Sequence, residues 1–454
     1  MTSAARAGSP LPATLVGLRQ AIVAGDLSVA EALQAQQQHI STADAGLNSV
    51  VHLHQDQPPP PPSWPLAGVG LAHKDIFSHR LRQALCGWHR APHTQAQPPA
   101  SALRRLEAAG SANLAALSMA EFASGATGDN PNQPQTFNPL NADAVVGGSS
   151  SGSAVAVAAG LCYASLGTDT AGSVRIPAAT CGVFGFKPSR GRIARDGTFP
   201  LAPSLDAIGV LARSAGDAAA IMAALGEARS SASWTAAPRA WRVRCALAAD
   251  SLAPQVGDAL EVFASRLGRH GSLRAGATPE LGAIDAHAQV LLHVEASRVH
   301  LERLRSQPKA LAVTTRSIAA PGVVIPPAWY GAALARREAF SRDFMDNFLQ
   351  DADVLLLPAL ARPVPDWSQV HRGSERFEAA ELLALHRWML FANYLDLPAA
   401  VLPVGVDARG MPICVQVVAR RDDDATLLNF CQWLEQHGLA PQGLPHVAQP
   451  LLPS

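Results

Sequence analysis

GGSSSGSAVAVAAGLCYASLGTDTAGSVRIPAATCGVFGFK, running from Gly147 to Lys187, is the stretch whose reading decides the fold. Gly147 and Gly148 permit a sharp turn, the hydroxyls of Ser149, Ser150, Ser151 and Ser153 sit where a helix begins, and residues 154–160 are small enough to form a helix packed closely on a sheet. A second polar turn follows at Gly167-Thr168-Asp169-Thr170-Ala171-Gly172-Ser173, and the residue before Pro177 is steered away from the helical region. Two serine-bearing turns among glycines and alanines bring backbone N–H groups close to a ligand, which is the composition of a catalytic cradle.

Outward from that cradle, helices and strands alternate. Residues 15–24 have helical spacing and stop at Gly25, and Ser28 caps a second helix over 30–40, so the two form a packing arm. The prolines at 58–62 make a rigid, extended spacer before an apolar run that leads into Leu71-Ala72-His73-Lys74-Asp75. The pattern predicts a helix over 99–109, a strand over 112–117, a helix over 217–225, a loop over 226–238, a strand over 241–248 and a helix over 256–267. Long helices over 283–304 and 332–349 and a buried strand over 354–357 complete it. The proline-rich segment 318–330, with Trp329 and Tyr330, reads as a loop near a pocket mouth. This alternation is that of an α/β protein.

The signature stretch resembles that of the amidase signature family, which has the form GGSSGGS, a helix, G-x-D-x-GGS-[IV]-R-x-PA and a later G-x-KP. The resemblance continues through Leu117-Ser118-Met119-Ala120-Glu121-Phe122, Asn138-Pro139, residues 354–358, Leu397-Pro398-Ala399-Ala400-Val401, Met411-Pro412 and Val415-Gln416. It implies one amidase signature domain over 1–454, with a mixed central β-sheet covered by helices on both faces. Within it fall a helical arm (1–57), a catalytic core (58–225), a variable subregion (226–350) and the C-terminal part of the core (351–454).

The same resemblance assigns roles. Ser173 is the nucleophile, Ser149 follows a cis peptide and relays protons, and Lys74 is the base. The N–H groups of Thr170, Ala171, Gly172 and Ser173 form the oxyanion hole, while Thr168, Asp169 and Arg175 support the loop. Three residues depart from the family pattern: Ser151 and Ala171 replace glycines, and Cys414 sits where glycine is frequent. Ala171 matters most, because a Cβ resists positive φ in a loop whose N–H groups must face an oxyanion. For Lys74 to act as a base, burial has to lower its pKa from about 10.4.

Composition narrows the function further. The 454 residues carry 36 basic and 36 acidic side chains, so no basic surface invites nucleic acid, and small neutral ligands fit better. Six scattered cysteines form no C-x-x-C pair and the histidines no H-E-x-x-H, so reduced structural thiols are expected, with no metal and no cofactor. The N-terminus lacks a secretory apolar core, and no apolar run reaches about 18 residues, so a cytoplasmic enzyme without membrane contact is expected, as monomer or homodimer.

The resulting expectation is a serine hydrolase of small amides, anilides or carbamates (a urethanase activity), with Met119, Phe122, Gly125, Trp329 and Tyr330 as substrate-binding candidates. Two alternatives share the signature: the amidotransferase subunit of a glutamyl-tRNA amidotransferase complex, and a non-catalytic binding relative.

Overall fold

The computed structural model describes residues 11–54, 58–92, 97–226, 240–247 and 252–441. Its frame is an eleven-stranded mixed sheet. In chain order the strands are β1 (Val50–Leu53), β2 (Gly70–Lys74), β3 (Ala112–Leu117), β4 (Ala164–Asp169), β5 (Phe184–Lys187), β6 (Ala207–Ala212), β7 (Arg242–Cys245), β8 (Ser272–Ala275), β9 (Val354–Pro358), β10 (Ala399–Val406) and β11 (Pro412–Val418). They lie side by side as β1-β3-β2-β4-β6-β5-β10-β11-β9-β7-β8. Pairing is parallel for β3-β2-β4 and β9-β7-β8 and antiparallel elsewhere.

Every residue of β2, β3, β4, β5, β6, β9 and β11 is buried. Successive strand residues point to opposite faces, so both faces of this part of the sheet are covered.

The described residues form fourteen α-helices: α1 (Leu15–Ala24), α2 (Val29–Ala43), α3 (Ser101–Ala108), α4 (Ser151–Ala158), α5 (Arg175–Cys181), α6 (Ala215–Ala224), α7 (Pro254–Leu267), α8 (Gly282–Ser306), α9 (Val313–Ala319), α10 (Pro327–Phe348), α11 (Trp367–Val370), α12 (Ala379–Ala384), α13 (Leu390–Tyr394) and α14 (Asp424–Gln436). The arm forms as its caps dictate. Thr14 caps α1, Gly25 ends it in the left-handed conformation, and Ser28 and Glu31 form a capping box on α2. Buried Gln36 of α2 then ties the arm to the sheet, donating to Gly68 O at 2.8 Å and accepting from Gly70 N at 2.7 Å.

One sequence expectation changes. Segment 318–330 is not a loop: α9 reaches Ala319, a 3-10 turn covers Ala320–Val323, and α10 begins at Pro327. Proline at a first helical position starts a helix, since its missing N–H has no partner there anyway. Residues 227–239 of the expected 226–238 loop, and the end of the 241–248 strand, lie outside the described residues. Among the described residues no single helix is long and apolar enough to cross a membrane.

What positions the site is an ion pair at the C-terminal end of β4. Asp169 and Arg175 are both fully buried. Arg175 donates to Asp169 from Nε at 3.1 Å and Nη2 at 2.9 Å, and also to Gln416 Oε1 of β11, Asn393 Oδ1 of α13 and the Met389 carbonyl. The guanidinium thus joins the signature turn to strands and helices more than two hundred residues later. Arg175→Ala, which leaves the Asp169 charge buried and unpaired, is expected to lower the unfolding free energy by about 3–5 kcal/mol in denaturant titration.

Candidate active site

Lys74 ends β2, and Thr168 and Asp169 end the parallel neighbour β4, so the two chain segments leave the sheet side by side. Crevices outside the carboxyl ends of such strands are where α/β sheets hold ligands. Lys74 is buried, with Nζ 2.7 Å from Ser149 Oγ and 2.9 Å from Thr168 Oγ1. Burial lowers its pKa to about 7, against the opposing pull of Asp169, Asp206 and Cys86. His73, its neighbour on β2, faces the other side of the strand and accepts from Leu166 N; burial, with His79 and His54 adding, lowers it to about 3.

Ser149 follows a cis Gly148–Ser149 peptide, is wholly buried, and accepts from Ala120 N at its carbonyl. Gly148 has no room for a side chain. A Cβ there would stand 2.5 Å from Gly125 O and 2.7 Å from Gly128 N, so the 125–128 loop lies directly on this peptide. Ser150 N donates to Ser173 O at 3.2 Å, which stitches the two signature turns together. Contrary to the helix-cap expectation, no serine side chain caps α4, and Ser151 Oγ and Ser153 Oγ are buried without partners.

The second turn is shaped by Asp169, whose carboxylate accepts from the N–H groups of Gly172 at 2.9 Å, Val174 at 3.1 Å and Arg175 at 3.4 Å. Burial alone would raise this carboxyl. The Arg175 charge and hydrogen bonds, with Lys187 and the Gly172 N–H adding, more than offset that and hold it well below the usual carboxylate range. Of the four N–H groups expected to face an oxyanion, that of Gly172 is engaged by Asp169. Thr170 Oγ1 is 2.6 Å from Asp206 Oδ1, a partner that sequence reasoning missed.

Ala171 proves compatible with this turn. Its φ is not positive; the left-handed residue is Gly172, at φ 103°. A Cβ on Gly172 would meet Met389 at 2.7 Å. Cys414, the other departure, is a buried thiol 3.5 Å from the Ala179 carbonyl, with its pKa pushed up by burial.

On the 125–128 loop, which packs on Gly148, opens a cavity of about 790 Å³ whose lining includes none of Lys74, Ser149 and Ser173. Its wall includes Gly125, Ala126, Val146, Val313, Ile318 and Val370. Of the substrate-binding candidates only Gly125 lines it. Met119 and Phe122 are buried in the core, Phe122 packing on Trp88, Phe199 and His300 at centroid distances of 4.8–5.3 Å. Trp329 and Tyr330 lie in the first turn of α10; Trp329 is exposed and Tyr330 donates to Glu295. The wall residues Asp129, Trp367, His371 and His386 carried no sequence signal, since they come from segments far apart in the chain. Glu121 fixes the wall: its Oε1 accepts from Ala312 N at 2.7 Å and Thr315 Oγ1 at 2.8 Å, anchoring α9, and its Oε2 accepts from Asn132 at 2.7 Å. Among the described residues no three His, Cys, Asp or Glu side chains gather as a metal site.

The fold and this arrangement define an amidase-signature hydrolase of C–N bonds. The chain belongs to the Amidase family, whose model matches residues 31–325 and 326–428. It is 33% identical over 399 positions to AtzE, a subunit of the 1-carboxybiuret hydrolase of Pseudomonas sp. (strain ADP), covering 83% of this chain and 85% of that one. It is 30% identical over 476 aligned positions to the A subunit of the glutamyl-tRNA(Gln) amidotransferase of Thermus thermophilus, covering 94% and 98%. A solved amidase superposes with a TM-score of 0.81 at 29% identity, over 93% of this chain and 99% of that one.

The two small residues of the turn are expected to respond unequally. Gly172→Ala should cost about 1–3 kcal/mol of stability in denaturant titration, whereas Ala171→Gly should cost less than about 1 kcal/mol.

Proposed function

We propose that this chain hydrolyses the C–N bond of small amides, anilides or carbamates through an acyl-enzyme on Ser173, with Ser149 as relay and Lys74 as base. The observation that carries the reading is a buried lysine, lowered toward neutrality, 2.7 Å from the hydroxyl of a serine stitched to the Ser173 turn. Neutral Lys74 takes the Ser149 proton as Ser149 takes that of Ser173, and Ser173 Oγ bonds to the carbonyl carbon. The negative oxygen faces the N–H groups of Thr170, Ala171 and Ser173, each such donor worth about 3–4 kcal/mol of barrier. When the C–N bond breaks, the proton returns through Ser149 to the leaving nitrogen. Water then repeats the cycle on the ester and releases Ser173.

The apolar wall of the cavity supports a preference for neutral, partly aromatic amides and aryl carbamates over charged amino-acid amides. We place the whole chain, 1–454, in one catalytic unit that acts on small molecules as monomer or homodimer. The likeness to the glutamyl-tRNA(Gln) amidotransferase chain favours a second reading, in which glutamine is the amide donor within a complex.

Ser173→Ala is expected to abolish turnover with its thermal transition unchanged, and a serine-directed phosphonate should label Ser173 by mass spectrometry; an active variant, or a label on Ser149, overturns the assignment. Comparing kcat/KM for a nitroanilide, an aryl carbamate and glutamine on the purified chain separates the two readings. A glutamine preference above about tenfold, roughly 1.4 kcal/mol, would favour the amidotransferase. Because the base must be neutral, kcat/KM should be flat above about pH 7 and fall about tenfold per pH unit below it, following the lowered Lys74.

A further inference from the structure

Asp129, Trp367 and His371 form a clamped aromatic plate in the cavity wall. Trp367 Nε1 donates to Asp129 Oδ1 at 2.6 Å, and His371 Nδ1 lies 3.0 Å from Asp129 Oδ2. One carboxylate thereby holds both rings, which stack 4.1 Å apart at 15°. The clamp spans two walls. Asp129 follows the 125–128 loop that lies on the Gly148–Ser149 peptide, while Trp367 opens α11, whose start is fixed by an Asp366 and Gln369 capping box. The Nε2 edge of the imidazole lies close to Gly373, where a Cβ would stand 2.8 Å from it. Trp367 is the one Phe, Tyr or Trp side chain among the described residues lining the cavity; the rest of the wall is aliphatic or small and polar, with the His371 and His386 imidazoles, Asp129 and Arg372.

Two rings that stack on each other, with an edge nitrogen of each held by one carboxylate, leave only their outer π faces for contact. Rigid parallel rings lose little freedom when a third ring stacks on them, and an aromatic contact is favoured beyond its buried area.

We propose that the Trp367–His371 plate, held by Asp129, is the specificity-determining surface that selects an aryl group in the substrate. This deepens the amide hydrolase reading and rests on it, since the plate lines a cavity whose 125–128 loop packs on the Gly148–Ser149 peptide.

The test is binding to the full-length Ser173→Ala protein, which removes differences in chemical reactivity. Affinities are measured for matched neutral amides, benzamide against cyclohexanecarboxamide and acetanilide against N-cyclohexylacetamide. Better binding of the phenyl member of at least one pair, by about threefold to tenfold, is expected. His371→Leu and Trp367→Leu should bring that ratio close to one, while His371→Phe, which keeps a ring without the carboxylate bond, should retain most of it. An unchanged ratio in His371→Leu overturns the proposal, and so does an equal loss in His371→Phe, which would assign the effect to the imidazole nitrogen instead of the ring face. If Trp367→Leu fails to fold, the two His371 variants decide alone. Turnover by the wild-type chain tests the hydrolase reading separately, so aryl selectivity and hydrolysis can fail independently.

Discussion

The buried Asp169–Arg175 pair is the constraint on which the rest of the site depends. Arg175 cross-links the signature turn to β11 and α13, and Asp169 uses both oxygens to organise the N–H groups that follow it. Each charge is tolerable in the interior only because the other is there. One consequence is subtractive. By engaging the Gly172 and Val174 N–H groups, Asp169 removes them from the donors the turn can offer a ligand. Another is positional, since Asn393 completes the network by donating to the Asp169 carbonyl at 2.8 Å.

Against that frame the chemistry rests on desolvation. Two carboxylates, Asp169 and Asp206, favour a charged Lys74, yet burial outweighs them and brings the amine near neutrality. Asp206 is itself committed to Thr170 and to the N–H groups of Leu201 and Ala202, and burial raises its pKa. Lys74 meets hydroxyls, Ser149 and Thr168, with no carboxylate within salt-bridge reach among the described residues. A hydroxyl partner leaves the neutral amine accessible, where a carboxylate at the same distance would hold the proton in place.

The two signature turns and the arm were legible in the sequence because each depends on a short run whose residue types admit few conformations. Gly148 tolerates no Cβ, and Ser28 and Glu31 cap locally. The cavity was not legible, because its wall is assembled from 125–136, 312–318, 367–373 and 382–386, which meet only after the sheet has formed. Met119 and Phe122 had the right composition for a pocket, but their side chains serve the core. Trp329 and Tyr330 were misplaced for a local reason, the Pro326-Pro327 pair that starts α10. Ala171 shows the reverse error: a departure that looked costly is accommodated because the left-handed conformation falls one residue later.

The most direct test of the account is titration of the Lys74 Nζ itself, followed by nitrogen NMR in the full-length protein with Lys74→Arg to assign the resonance. The account predicts a midpoint near 7, as burial dictates. A midpoint near the ordinary lysine value of about 10.4 would leave Ser149 without a base at neutral pH and contradict it.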